Sequence, residues 1–204
     1  MARARFSDEV AILAHPRAAY ESATTGDRRG GGAWIALRRP LFAALLLGAT
    51  VSFLATGTLT ARLVLGGALA WSFVPLIEAV ALAVACRSRP AALSRARALD
   101  LFFAGRGAWS LLLIVASAAA AFSDPLRVYA WTAWPQEAVL GSALLIAAGW
   151  SAHVDSCFLR VVLEYPPAKA MRVLALQRAL SWTASLAWFV GMAGSPYVVA
   201  LLRR

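Results

Sequence analysis

Glu78 is the residue best placed to do chemistry. It is the only charged residue in Leu63–Cys86, LVLGGALAWSFVPLIEAVALAVAC, and Pro75 lies one helical turn before it. An ionised carboxylate so far inside an apolar helix is costly, so it must be protonated, paired or turned to a wet cavity. His153 and Asp155 stand in a second apolar stretch, roughly Ala138–Leu159. A Glu78–His153 contact would make a buried pair able to fix helix packing or relay protons. The favoured alternative is a neutral Glu78 bonded to Ser, Thr or a carbonyl freed by Pro75. His153 and Cys157 are i and i+4 and share a helix face, but Asp155 points away and no ligand pattern completes a metal shell. No nucleophile elbow, phosphate loop or dinucleotide fingerprint stands elsewhere. No catalytic residue, metal or cofactor is therefore assigned, and the chain reads as non-enzymatic.

The elements that carry these residues are membrane spans. The 204 residues are 61% hydrophobic and 15% charged, against about 45–50% and about 25% in a soluble domain. Leu63–Cys86 as one helix reaches about 36 Å, beyond the ~30 Å of a hydrocarbon core. The predicted architecture is all-α, a polytopic bundle of about five spans. These are Leu41–Ala61, Leu63–Cys86, Ala108–Phe122, Ala138–Leu159 and Ala179–Leu202. Residues 1–40 form a cytoplasmic segment and residues 41–204 the bundle. Within the segment, Ser7, Asp8 and Glu9 open a short helix, His15-Pro16 breaks it, and Pro16 starts a second.

The net charge is +10, with Lys169 the only lysine. The arginines sit at span ends, the pattern of positive-inside anchors rather than of a nucleic-acid surface. With the N-terminus inside, sixteen of the twenty cations fall on the cytoplasmic side. Arg203 and Arg204 then lie outside, a mild conflict that leaves the side of the C-terminus open. The Arg- and Ala-rich composition points to a bacterial inner membrane. The expected partners are the bilayer and anionic headgroups, with no nucleic acid.

Small residues mark packing faces. Ala44, Gly48, Ser52, Thr56 and Thr60 recur every four residues, and Ala187, Gly191 and Ser195 repeat the pattern. Either stripe could join copies of the chain or another membrane protein; packing inside the bundle is the commoner use. Pro40 is expected in the first turn of span one, and Pro75 should kink span two. Ala91–Ala104 reads either as an interfacial helix, with Leu99, Phe102 and Phe103 on lipid and Arg95 and Arg97 on phosphates, or as a basic loop. Tyr129, Trp131 and Trp134 form an aromatic belt. Lys169, Arg172 and Arg178 are expected to face solvent or headgroups.

Two short elements carry a family resemblance. The N-terminal HPRAAYESA (His15–Ala23) and WSFVPLI (Trp71–Ile77), an aromatic-Ser-x-x-Pro element, resemble those of the Yip (Ypt-interacting protein) membrane-domain family in its bacterial form. The resemblance implies five spans with a cytoplasmic N-terminus and a scaffolding role. Eukaryotic relatives look like trafficking scaffolds that contact small GTPases, and no catalytic residues carry over. The expected function is thus a non-enzymatic scaffold or membrane-organising protein. The alternative is a small transporter or permease subunit with a polar path at Glu78.

Overall fold

A computed structural model describes residues 7–25, 33–86, 94–122 and 134–202. The described residues form helices and no strand. In order they are α1 (Ser7–Ala14), α2 (Pro16–Thr25), α3 (Ala33–Thr56), α4 (Ala61–Trp71), α5 (Phe73–Ala85), α6 (Arg95–Ala104), α7 (Gly107–Phe122), α8 (Trp134–Cys157) and α9 (Pro167–Leu202). A π-helical turn, Phe158–Val162, follows α8.

Three stretches are long and apolar enough to cross a membrane: Trp34–Thr56, Ala61–Ala85 and Gly141–Val162. A fourth is the pair α6–α7, bent by 42° at the join. Their outward side chains are mostly apolar, with Leu69 77% exposed and Leu145 75% exposed. That suits lipid, which gives helices no hydrophobic reason to hide such residues from it. The expected fifth span lies within α9, one continuous helix that passes Pro196 without a break.

The first two spans form a hairpin. Gly57 supplies the turn with φ +69°, a conformation open to glycine at no steric cost. Thr60 then caps α4 by accepting from the Leu63 N–H at 3.3 Å. Thr60 therefore belongs to the turn, not to the small-residue stripe of span one. Pro40 also differs from expectation: α3 begins at Ala33, so the proline lies within the helix. Thr56 is exposed beside the same turn, while Ala44, Gly48 and Ser52 are buried inside the chain. A Cβ on Gly48 would overlap the backbone of Ala68, and one on Gly67 would come 2.7 Å from the Gly48 carbonyl. Ser52 Oγ donates to the Leu63 carbonyl at 2.8 Å across the seam. Close backbone approach through small residues is the standard way to join helices in lipid. The second stripe differs, since a Cβ on Gly191 would meet nothing within 4 Å.

The second span breaks at Ser72, one turn before Pro75. The proline has no N–H to return to the Trp71 carbonyl, so the helix loosens there. Ser72 N–H turns to the Leu69 carbonyl at 3.3 Å, and its hydroxyl donates to the same oxygen at 2.8 Å.

α6 departs furthest from its expected place. Ser94 caps it by accepting from the Arg97 N–H, and residues 91–93 lie outside the described residues. Phe102 and Phe103 are buried in protein, not laid on lipid, and Leu99 packs half-buried against the same core. Phe102 packs edge-on against Phe158, which packs edge-on against Tyr20. The main core thus gathers α2, α6, the π turn and the start of α9. The N-terminal helices are part of it: Ile12 and Tyr20 are fully buried, and Trp150 Nε1 donates to the Leu13 carbonyl at 3.0 Å. The short α7 reaches span length only when α6 is counted with it across the 42° bend. Of the expected aromatic belt, Tyr129 and Trp131 lie outside the described residues, while Trp134 starts α8.

Candidate functional site

Four charged residues meet in the bundle. Glu78 comes from α5, Arg106 from the α6–α7 bend, Asp155 from α8 and Arg178 from α9. Arg106 Nε lies 3.1 Å from Glu78 Oε2, and Arg106 Nη1 lies 3.1 Å from Asp155 Oδ2. Arg178 Nη2 reaches the same Asp155 oxygen at 2.5 Å. Asp155 is 1% exposed and Arg106 6% exposed, so neither finds relief in water. Two acids and two guanidiniums give the quartet a net charge of zero.

Helix periodicity explains the convergence. Ser151 and Asp155 are i and i+4 on α8 and present one face. Ser151 Oγ accepts from Arg106 at 3.2 Å, from Arg178 at 2.7 Å and from Trp109 Nε1 at 3.0 Å. His153 is two residues from each and so falls about 200° away around the helix. It is exposed, with its ring tilted on Trp150 and Nε2 3.9 Å from Cys157 Sγ. The expected Glu78–His153 contact is therefore not formed; Glu78 meets Arg106 instead. The hydroxyl or carbonyl partners expected for Glu78 are likewise replaced by the Arg106 guanidinium. Among the described residues, no three of His, Cys, Asp and Glu gather as metal ligands would.

The Glu78 contact is the loosest in the quartet. Arg106 Nε is close enough to attract the carboxylate but makes no hydrogen bond to it. Arg106 Nη2, Arg178 Nε and Asp155 Oδ1 are also buried without hydrogen-bond partners among the described residues. Beside them lies a cavity of about 290 Å³ walled by α3, α5, α7 and α9. Glu78, Pro75, Arg106 and Arg178 line it together with apolar Leu47, Val74, Leu113 and Trp182.

A second ionic cluster surrounds Asp100 of α6. Arg38 grips it with two bonds, Nε to Oδ1 at 2.8 Å and Nη2 to Oδ2 at 2.7 Å. Arg39 and Arg97 reach Oδ2 at 2.6 and 2.8 Å, and Arg39 Nε donates to Glu9 at 2.8 Å. Arg97 and Arg178, expected at headgroups or solvent, are thus engaged inside the protein. Between the two clusters sits Tyr20, whose hydroxyl donates to the Leu101 carbonyl at 3.4 Å. Burial pushes its phenol well above the usual range; Asp155 adds to this, and Arg106 and Arg39 oppose it.

Sequence reasoning found Glu78 and Asp155 but missed Arg106, Arg178, Asp100 and Ser151. The available signal was balance. In a chain with ten acids and twenty cations, an acid at membrane depth needs an arginine, and Arg106 stands between apolar runs as a candidate. Comparison with protein-family models, with curated proteins and with solved structures found no match.

Proposed function

We propose that the chain is a non-enzymatic multi-pass protein of the bacterial inner membrane, N-terminus cytoplasmic, that scaffolds or organises a membrane assembly. The observation that carries this reading is the charge-balanced quartet. Its charges answer one another across four elements, which fits a device for holding helices in one arrangement. Breaking one buried partner costs about 3–5 kcal/mol, whereas making the set gains little over an apolar core, so its use lies in fixing the packing. The outer half of α9, with exposed Leu186, Trp188, Phe189 and Val190, offers a face for lipid or for a second protein. A five-span count with α9 as the last crossing, and the Yip-type kinship drawn from His15–Ala23 and Trp71–Ile77, belong to the same proposal.

The cavity beside Glu78 favours a second reading, a small transporter or permease subunit, because a broken helix and a mid-span acid are common parts of transport paths. In-membrane cross-linking from Ala187 and a vesicle flux assay separate the two. A scaffold gives a discrete cross-linked product and no solute flux above protein-free vesicles. Flux that depends on the protein and disappears with Glu78→Gln would replace the scaffold reading with transport.

A further inference from the structure

The cavity walled by α3, α5, α7 and α9 has a charged floor and apolar sides. We propose that it binds a small anionic amphiphile head-down, with a carboxylate or phosphate on the Arg106 and Arg178 guanidiniums, and that Glu78 is the internal anion this ligand displaces.

Three observations carry this. First, the cations are held from behind. Asp155 Oδ2 and Ser151 Oγ fix both Arg106 and Arg178, so the guanidiniums keep their orientation whichever anion stands in front. Second, donors remain. Arg106 Nε and Nη2 and Arg178 Nε donate to nothing among the described residues, and both side chains line the cavity. These three atoms are covered, so an anion reaches them only as Glu78 moves aside. A buried guanidinium N–H left without a partner is expensive, and an anionic head would supply one as a charge-assisted bond. Third, Glu78 already lines the same cavity and attracts Arg106 at 3.1 Å without hydrogen-bond geometry. A carboxylate is therefore accepted at this position but held loosely. Because the quartet is already neutral, an added anion competes with Glu78 rather than joining it.

The walls set the rest of the ligand. Leu47, Val74, Leu113 and Trp182 give it apolar sides. About 290 Å³ lies at the small end of the ~300–1,000 Å³ usual for ligand cavities. That suits a short single chain and excludes a diacyl lipid. The inference rests on the membrane reading of the chain but not on the choice between scaffold and transporter, since binding needs no flux.

The test is equilibrium dialysis of radiolabelled octanoate, at neutral pH, against the full chain in phosphatidylcholine nanodiscs, with protein-free discs subtracted. Octanoate is expected to bind saturably at one per chain. Acetate, inorganic phosphate and octanol are expected to compete poorly, since each lacks either the apolar body or the anionic head. Glu78→Gln removes the internal competitor and should tighten octanoate binding by about tenfold. Arg106→Gln should abolish it. Should that variant fail to fold, Ser185→Phe fills the cavity from α9 without touching the ion pairs and should abolish binding too. No saturable binding in either the native chain or Glu78→Gln overturns the proposal. So does a folded Glu78→Gln that binds no tighter, or acetate that competes as well as octanoate.

Discussion

Asp100 and Asp155 are both buried aspartates held by arginines, but they keep different company. Asp100 faces three arginines, and with Glu9 included the cluster holds one more positive charge than negative. Asp155 faces two, and Glu78 brings that set to balance. Exposure explains the difference. The side chains of Arg38 and Arg97 are 25% and 23% exposed, so part of each guanidinium stays hydrated and excess charge is screened. Those of Arg106 and Arg178 are 7% and 12% exposed. There the attraction must come from protein acids alone, because water is not available to replace them.

The largest effect expected from this contrast is at Asp155. Asp155→Ala leaves two enclosed guanidiniums sharing only the loosely held Glu78, and should cost about 3–5 kcal/mol in equilibrium unfolding in mixed micelles. Asp100→Ala should cost less, about 1.5–3 kcal/mol. Arg38 and Arg97 can turn to water, and Arg39 keeps Glu9. Equal losses at the two positions would show that exposure does not set the difference. Smaller again is Glu78→Gln, at about 1 kcal/mol, since Arg106 retains Asp155 and Ser151. A double-mutant cycle of Glu78→Gln with Asp155→Asn should depart from additivity by at least about 0.5 kcal/mol, because both acids act on Arg106. Strict additivity would mean the quartet is two independent pairs.

The helical class and most of the helix positions were legible in the sequence because they follow from local signals. Apolar runs of span length, the Pro16 start and the Gly48 stripe need no knowledge of distant partners, whereas the turn at Gly57 fell inside the expected first span. Pro75 announced a break, yet the break falls at Ser72, because a proline disturbs the carbonyl four residues before it. The ionic partners were not legible in the same way. Arg38, Arg97, Arg106 and Arg178 look like positive-inside anchors, and composition cannot separate an arginine at a headgroup from one turned inward to an aspartate. Glu78 and His153 were read as lying at similar depth, which suggested a contact. Depth along the membrane says nothing about azimuth, and on α8 the inward azimuth belongs to Ser151 and Asp155. The burial of α6 was hidden for a related reason, since its arginines hid the fact that Asp100 could neutralise part of its charge.

Tyr20 gives the smallest effect and lies within reach of both regions: burial raises its phenol most, Asp155 adds to this, and Arg106 and Arg39 oppose it. The folded chain holds the phenol neutral to higher pH than the unfolded chain does. The unfolded phenol ionises near pH ~10. Above that value the unfolded state loses a proton that the folded state keeps, so unfolding becomes easier as pH rises. The contribution of Tyr20 is fully present below pH ~10 and declines above it. Tyr20→Phe loses only a long hydrogen bond to the Leu101 carbonyl, and should cost about 0.5–1 kcal/mol at neutral pH. Between pH ~9 and ~11 its stability should fall less steeply than that of the native chain, since the remaining tyrosines and Lys169 contribute equally to both. Unfolding midpoints measured in parallel on the two proteins give the difference directly. Identical slopes would mean that the phenol ionises as easily in the folded chain as in the unfolded one, and that its burial does not hold it neutral.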